Sequence, residues 1–282
     1  MPRIAFVTDS SCGLPPEYVR EFGIRVVPID VIVDSEVRPD LTSAELIAAM
    51  EQGHKVSTSR PTPADFLSVY QQLRREGCEG IVATTLSATL SGTHESALLA
   101  SRQIDLPVRV IDSRSVGLGM GIAVRDAARS TTDRDLDTVA LSISEQTAAS
   151  AVYFYLDSLE YLRKGGRVTA TSALIGTALS VKPILQLRNG EIAPCTKVRT
   201  QSKALARLVE LALESSEPES ATQFGVQHLG APDQAHVCVE LLRAARPHAE
   251  ILISEVTAVV GAHAGPGLVA VIASTSGVVD TA

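Results

Sequence analysis

Ile81-Val-Ala-Thr-Thr85 runs into Leu86-Ser-Ala-Thr-Leu-Ser91-Gly92-Thr93-His94-Glu-Ser-Ala97. The first five residues are apolar or β-branched, the make-up of a buried strand. Glu95 to Arg102 reads as a helix. A hydroxyl-rich turn with one glycine therefore lies between a strand's carboxyl end and a helix's amino end, where open α/β sheets bind ligands. Helix starts carry unpartnered N–H groups and the positive end of the dipole, so an anion is favoured there. Ser91, Thr93 and the backbone can donate to it. The same hydroxyls can equally serve as helix caps, and this segment alone leaves both readings open.

Outward from this segment the first half alternates. Ile4 to Val7 reads as a strand, Pro15 to Glu21 as a helix and Ile24 to Val33 as extended chain. Thr42-x-x-Glu45 is a capping box opening a short helix through Met50. Thr62-Pro63-x-Asp65 opens another, with Pro63 at the first helical position. Phe66, Val69, Tyr70 and Leu73 then follow the helical period. Strand 81–85 and helix 95–102 precede strand 108–111 and helix 115–129. Thr132-x-x-Asp135 caps a helix through about Ala148. Such alternation predicts a mainly parallel sheet covered by helices.

The second half has a different grammar. Ala151 to Leu156 is a strand, and Val181 to Leu187 and Glu191 to Val198 flank Arg188-Asn189-Gly190, a hairpin signal. A helix over Gln201 to Glu214 follows, then a strand over Phe224 to Leu229 and a helix over Pro232 to Ala245. Glu250 to Val259 and Leu268 to Ala273 read as strands, which places His263 in a glycine-rich turn between them. Hairpins among helices predict a mixed or antiparallel sheet. The expectation is an α/β protein of two domains, 1–150 and 151–282, the first an α/β/α sheet domain. No Gly/Ser linker marks the boundary, so the halves should pack closely.

A chain of 282 residues has room for one large domain or two ordinary ones. With 45% hydrophobic and 20% charged residues it is globular in composition. A net charge of −7 disfavours nucleic-acid partners and anionic membrane surfaces. Cys12, Cys78, Cys195 and Cys238 form no C-x-x-C pair and no metal-ligand spacing, as expected of free thiols in a reducing cytoplasm. The first apolar run is too short for a signal peptide, and no apolar run reaches about 18 residues. A soluble cytoplasmic protein without stable membrane insertion is expected.

Several catalytic patterns fail. His94-Glu95 begins like H-E-x-x-H, but position 98 is Leu. Gly117-x-Gly119-x-Gly121 has its third glycine misplaced for a dinucleotide loop, so close packing explains it better. No P-loop and no G-x-S-x-G elbow is present. Asp9, Ser10 and Ser11 follow the first strand, where turn chemistry competes with a role in shaping the crevice. Arg167, after Gly165-Gly166, has the planar fork that grips carboxylate or phosphate, yet a surface-loop arginine reads the same way.

Four more segments belong with the opening one. They are Val7-Thr-Asp-Ser-Ser-Cys-Gly-Leu-Pro15, Val56-Ser-Thr-Ser-Arg-Pro-Thr62, Tyr161-Leu-Arg-Lys-Gly-Gly-Arg167 and Gly261-Ala-His-Ala-Gly-Pro-Gly267. Ser180-Val-Lys-Pro-Ile-Leu185 and Lys197-Val-Arg199-Thr200 extend the set. In this order and spacing, from about residue 4 to about residue 275, they resemble the DegV family. Gly13 and Arg60 depart from it, where an acidic residue and a Gln are frequent.

The resemblance implies a bacterial fatty-acid-binding protein, the acyl-carrying subunit of a fatty acid kinase, with the ligand at the domain interface. It implies that Thr58, Ser91 and His263 contact the fatty acid carboxylate. Gly92 and Thr93 complete the turn around it, and Arg167 lies inside near the head group. Arg199 would lie outside, where the kinase subunit docks. No catalytic residue, metal or cofactor of its own is expected, because a separate ATP-dependent subunit would phosphorylate the bound carboxylate. Two alternatives stay open: a lipid carrier with no kinase, and a stand-alone hydrolase or transferase with Ser91 as nucleophile. Acyl-chain length and oligomeric state lie beyond these residues.

Overall fold

A computed structural model of the chain describes residues 3–130, 134–168, 181–216 and 222–275. The parallel sheet has the order β2-β1-β6-β7, built from β1 (Ile4–Asp9), β2 (Arg25–Val27), β6 (Gly80–Thr85) and β7 (Val108–Asp112). Every residue of β6 is buried, as a strand covered on both faces requires. On one face Val7, Ile81 and Ala83 pack against α3 (Pro63–Arg75) and α4 (Thr93–Ser101). On the other, Phe6 and Val82 join α5 (Leu118–Arg129) and α6 (Leu136–Ala149).

The second sheet is mixed, in the order β10-β9-β8-β13-β11-β12. Its strands are β8 (Ala151–Tyr155), β9 (Lys182–Arg188), β10 (Glu191–Val198), β11 (Thr222–His228), β12 (Ile251–Glu255) and β13 (Val269–Thr275). Only the β11–β12 pair is parallel. The helices α8 (Gln201–Glu214) and α9 (Pro232–Ala245) cover its outer face. Its inner face rests on α5 and α6, which touch both sheets. The layers thus run helices, parallel sheet, helices, mixed sheet, helices. Buried between two sheets, α5 is apolar or small from Leu118 to Val124. A Cβ on Gly121 would lie 2.4 Å from Cys12 O, so the glycines here serve close packing.

A third, small antiparallel sheet has the order β4-β3-β5: β3 (Asp30–Val33), β4 (Glu36–Val37) and β5 (Val56–Ser59). The extended chain expected over Ile24 to Val33 therefore divides between two sheets. Pro28, which has no N–H for a ladder, sits at the division.

The caps fall mostly where expected. Thr42 with Glu45 opens α2 (Ser43–Glu51) and Thr62 with Asp65 opens α3, both as reciprocal capping boxes. The β9–β10 hairpin turns through Asn189 and Gly190 with φ of 53° and 86°, the pair of positive values a two-residue turn needs. Two expectations need correction. Asp135 itself caps α6, accepting from Asp137 N and Thr138 N; the proposed cap Thr132 lies outside the described residues. The strand expected to reach Val259 ends at Glu255, and Ala258–Ala264 is a helix, α10. Ala258, Val259 and Ala262 are buried on one side of it, a helical period that outweighs the β-branched composition. Among the described residues no helix is long and apolar enough to cross a membrane.

Candidate functional site

Three turns leave the carboxyl edge of the parallel sheet and are stitched together. Asp9 closes β1; its carboxylate accepts from Ser11 N at 3.0 Å, Ser11 Oγ at 2.6 Å and Leu86 N at 2.7 Å. Burial pushes the Asp9 carboxyl up, and these three bonds oppose that shift. Gly117 N donates to Ser11 O at 2.9 Å and Ser87 N to Ser115 O at 2.8 Å. The Asp9–Ser11 segment is thus turn chemistry that also shapes a crevice.

Between this edge and the inner face of the mixed sheet lies an apolar cavity. It holds about 880 Å³ of empty space, open solvent at its mouth included. Leu86 and Leu90 wall it from the sheet edge, and Phe154, Leu187, Ile192 and Leu268 from the mixed sheet. Gln227 also lines it, but its amide is engaged by Leu118 N at 2.8 Å and Ser254 Oγ at 3.1 Å.

Thr58, Ser91, Arg167 and His263 line the same cavity. Thr58 is placed by antiparallel pairing of β5 with β3, opposite Val31. Its Oγ1 lies 2.8 Å from Nε2 of His263, a residue 205 positions away. His263 stands on α10, not in the expected turn between strands. It packs so closely against the end of α7 (Glu160–Lys164) that a Cβ on Gly165 would lie 2.6 Å from its Nδ1. Gly265 ends α10 with φ of 79°, a conformation other residues resist, and a Cβ there would enter the Tyr161 ring. Burial, and then the Arg167 charge, push the His263 pKa down from 6.5 to about 4. At neutral pH the imidazole is therefore uncharged. A neutral ring still donates one proton. If Nε2 carries it, it donates to Thr58 Oγ1, and the Thr58 hydroxyl is free to donate into the cavity.

Ser91 Oγ lies 2.9 Å from Thr93 Oγ1 and accepts weakly from Thr93 N at 3.4 Å. The helix that follows has Gly92 at its N-cap position and no side-chain cap bond. The capping role open to Ser91 is thus largely unfilled, which leaves its hydroxyl for the cavity. Gly92 and Thr93, expected around the carboxylate, are not among the residues that line the cavity. Thr93 is buried, and a Cβ on Gly92 would lie 2.1 Å from Arg60 Nη1. Arg60 itself reaches Glu95 at 3.1 Å. Arg167 Nε donates to Leu90 O at 3.3 Å and Nη1 to Gly165 O, so backbone carbonyls hold the guanidinium in place. Arg199 is not among the cavity-lining residues and is exposed just after β10. No group of acidic, His or Cys side chains among the described residues is arranged to hold a metal ion.

Sequence reading missed the apolar walls. Phe154, Leu187 and Ile192 alternate along strands like any core residue, and nothing local separates a cavity wall from a packed core. It also missed Lys55 and Lys164, which line a second, outer groove beside Thr58 and His263. Their only signal was proximity to Thr58 and Arg167 in the chain.

Residues 3–276 match a family model described as "Uncharacterised protein, DegV family". A DegV domain-containing protein of Streptomyces coelicolor is 40% identical over 96% of this chain and 98% of its own. One from Halalkalibacterium halodurans is 32% identical over 95% and 96%. Among solved structures, a fatty-acid-binding DegV family protein from Thermus thermophilus superposes with a TM-score of 0.92 at 29% identity, covering 97% of this chain and 99% of that one. DegV of Bacillus subtilis, described as a fatty acid binding protein, gives a TM-score of 0.88 at 28% identity, covering 98% of this chain and 100% of that one. With a match across nearly its whole length, the chain belongs to the DegV family.

Proposed function

We propose that the protein binds a long-chain fatty acid and presents its carboxylate to a separate ATP-dependent kinase subunit. One observation carries this reading: a single apolar cavity gathers Thr58, Ser91, Arg167 and His263 at its wall. The halves 1–150 and 151–282 act as two jaws, the first supplying Thr58 and Ser91, the second Arg167 and His263. Each buried CH₂ contributes about 0.8 kcal/mol, so the tail supplies most of the affinity. An unpartnered carboxylate leaving water would lose several kcal/mol, which the hydroxyls and the imidazole offset. The fatty-acid-binding relatives with the same fold support the ligand class.

Presentation rests on a second feature. Thr58, Arg167 and His263 also line the outer groove, so a carboxylate beside them is reachable from outside. A carboxylate oxygen would attack the γ-phosphorus of ATP on the partner. The bond to the β-phosphate oxygen would break, releasing ADP and leaving an acyl phosphate. The nucleophile reading of Ser91 lacks its base: among the described residues its hydroxyl bonds Thr93, while His263 bonds Thr58. A carrier without a kinase would use the same cavity and differs only in the second test below.

Protein purified from a bacterial host should release about one fatty acid per chain on denaturation and organic extraction, read by mass spectrometry. A lipid-free protein that also fails to take up added fatty acid overturns the binding reading. ATP-dependent acyl phosphate formation with the cognate kinase subunit then separates presentation from storage.

A further inference from the structure

The apolar cavity has a direction. On the mixed sheet it is lined by Ile192 of β10, Leu187 of β9, Phe154 of β8, Ala270 of β13 and Gln227 of β11, so it crosses five neighbouring strands. Among the described residues, none of the sixth strand, β12, lines it. At the β9–β10 side, Ser87 and Thr89 tie the loop that leads to Ser91 onto Gly190 O. A tail whose head group is held by Ser91 therefore runs the other way, towards β11. Three strand steps separate β9 from β11, about 14 Å at the usual spacing.

Gln227 stands at that end. It is 3% exposed, and its amide is fixed at both atoms. Oε1 accepts from Leu118 N at 2.8 Å, and Nε2 donates to Ser254 Oγ at 3.1 Å. Ser254 Oγ donates in turn to Gly13 O at 2.9 Å. Two glycines make the seat. A Cβ on Gly13 would lie 2.3 Å from Nε2, and one on Gly117 2.3 Å from Oε1. Their φ angles of 67° and 64° also favour glycine. Gly117 has no side chain to cap α5, so the Gln227 amide satisfies the first N–H of that helix. We infer that Gln227 is the floor of the acyl cavity and sets the longest chain the protein accepts. The inference rests on the fatty-acid reading above. A longer chain would have to displace an amide whose removal leaves Leu118 N without its partner, a cost that methylene burial does not offset. Gln227 acts by occupying space and touches no reacting atom.

The test titrates lipid-free protein with saturated acids from dodecanoic to docosanoic. Affinity should rise about fourfold per added CH₂ and then stop rising at one chain length, the break. Gln227→Asn, which keeps an amide, should move the break about one carbon longer, and Gln227→Ala further. Gln227→Met, close to Gln in length but without its bonds, should keep the wild-type break even where stability falls. Circular dichroism checks that each variant is folded, and Gln227→Asn decides alone if Gln227→Ala is not. A wild-type series without a break overturns the floor, as does an unmoved break in the folded variants. So does an equal shift in Gln227→Met, which would trace the change to a loosened fold. If wild type binds none of the acids, the fatty-acid reading falls and the floor with it; if it binds them without a break, only the floor falls.

Discussion

At the scale of single residues, the site depends on which hydroxyls are left free to donate. Ser91 and Thr58 each face the cavity with one internal partner. Ser91→Ala combined with Thr58→Val should weaken fatty acid binding, each lost bond to the charged head group counting for roughly 1.5–3 kcal/mol. Fluorescence competition on a mutant shown folded by circular dichroism measures it; unchanged affinity would place the carboxylate elsewhere. His263 predicts a pH dependence. Its pKa is about 4 in the folded protein and 6.5 ordinarily. The unfolded chain therefore binds the proton first as pH falls. The stability contributed by neutral His263 is complete above about pH 6.5 and is lost as pH drops towards about 4. His263→Gln should flatten that part of the urea-denaturation profile relative to wild type. A parallel profile in the variant would show that other groups carry the acid sensitivity.

Among the elements, the β9–β10 hairpin links the two sheets. Ser87 Oγ and Thr89 Oγ1 both donate to Gly190 O, at 2.8 Å and 2.6 Å, so the turn is pinned to the loop after β6. Its strands then lay Leu187 and Ile192 along the cavity. Leu187→Ala enlarges that wall and should shift the lipid recovered by mass spectrometry towards longer or bulkier acyl chains. An identical lipid profile would remove Leu187 from the determinants of chain choice. At the other end of β10, Arg199 precedes Thr200, whose hydroxyl caps α8. Exposed and outside the cavity lining, it suits docking of the proposed kinase subunit. Arg199→Glu should spare bound lipid and slow phosphorylation at subsaturating kinase, since rim charges act mainly on encounter. Equal rates for the two proteins would count against it.

For the whole molecule, the buried partner of α5 matters most. Arg125 is 1% exposed, and it bonds Asp126 at 2.7 Å, Glu250 at 2.6 Å and Gln223. Asp126 Oδ2 accepts from Gln146 at 2.9 Å and Gln223 at 2.7 Å, and the guanidinium stacks 5.5 Å from the Tyr18 ring centre. One network thus joins the helix layer to the mixed sheet. Arg125→Met should cost about 3–5 kcal/mol in equilibrium unfolding, because it removes the buried cation that pairs with Asp126 and leaves it only the half-exposed Arg129, 3.5 Å away. A loss under about 1 kcal/mol would mean that Asp126 takes up a proton or finds water. The cavity adjoins this layer, lined by Val116 and Gly117 just before α5.

Much of this was legible in the order of residues. Alternating apolar runs and capping boxes specified the helices and the parallel strands, because burial periodicity and cap chemistry are local. Asn189-Gly190 likewise specified its hairpin, since few other residues accept two positive φ angles. The candidate ligand side chains were singled out from other capping and turn residues through resemblance, as hydroxyls in turns look alike whatever they do. Long-range packing decided the rest. It turned Ala258–Ala264 into a helix, where strand-forming residues had a better face to bury. It set Thr58 against His263 across 205 positions and pushed the imidazole towards neutrality by burying it. It left a cavity where a core was equally consistent with the pattern. Proximity, desolvation and empty space are properties of the folded arrangement, and no local segment encodes them.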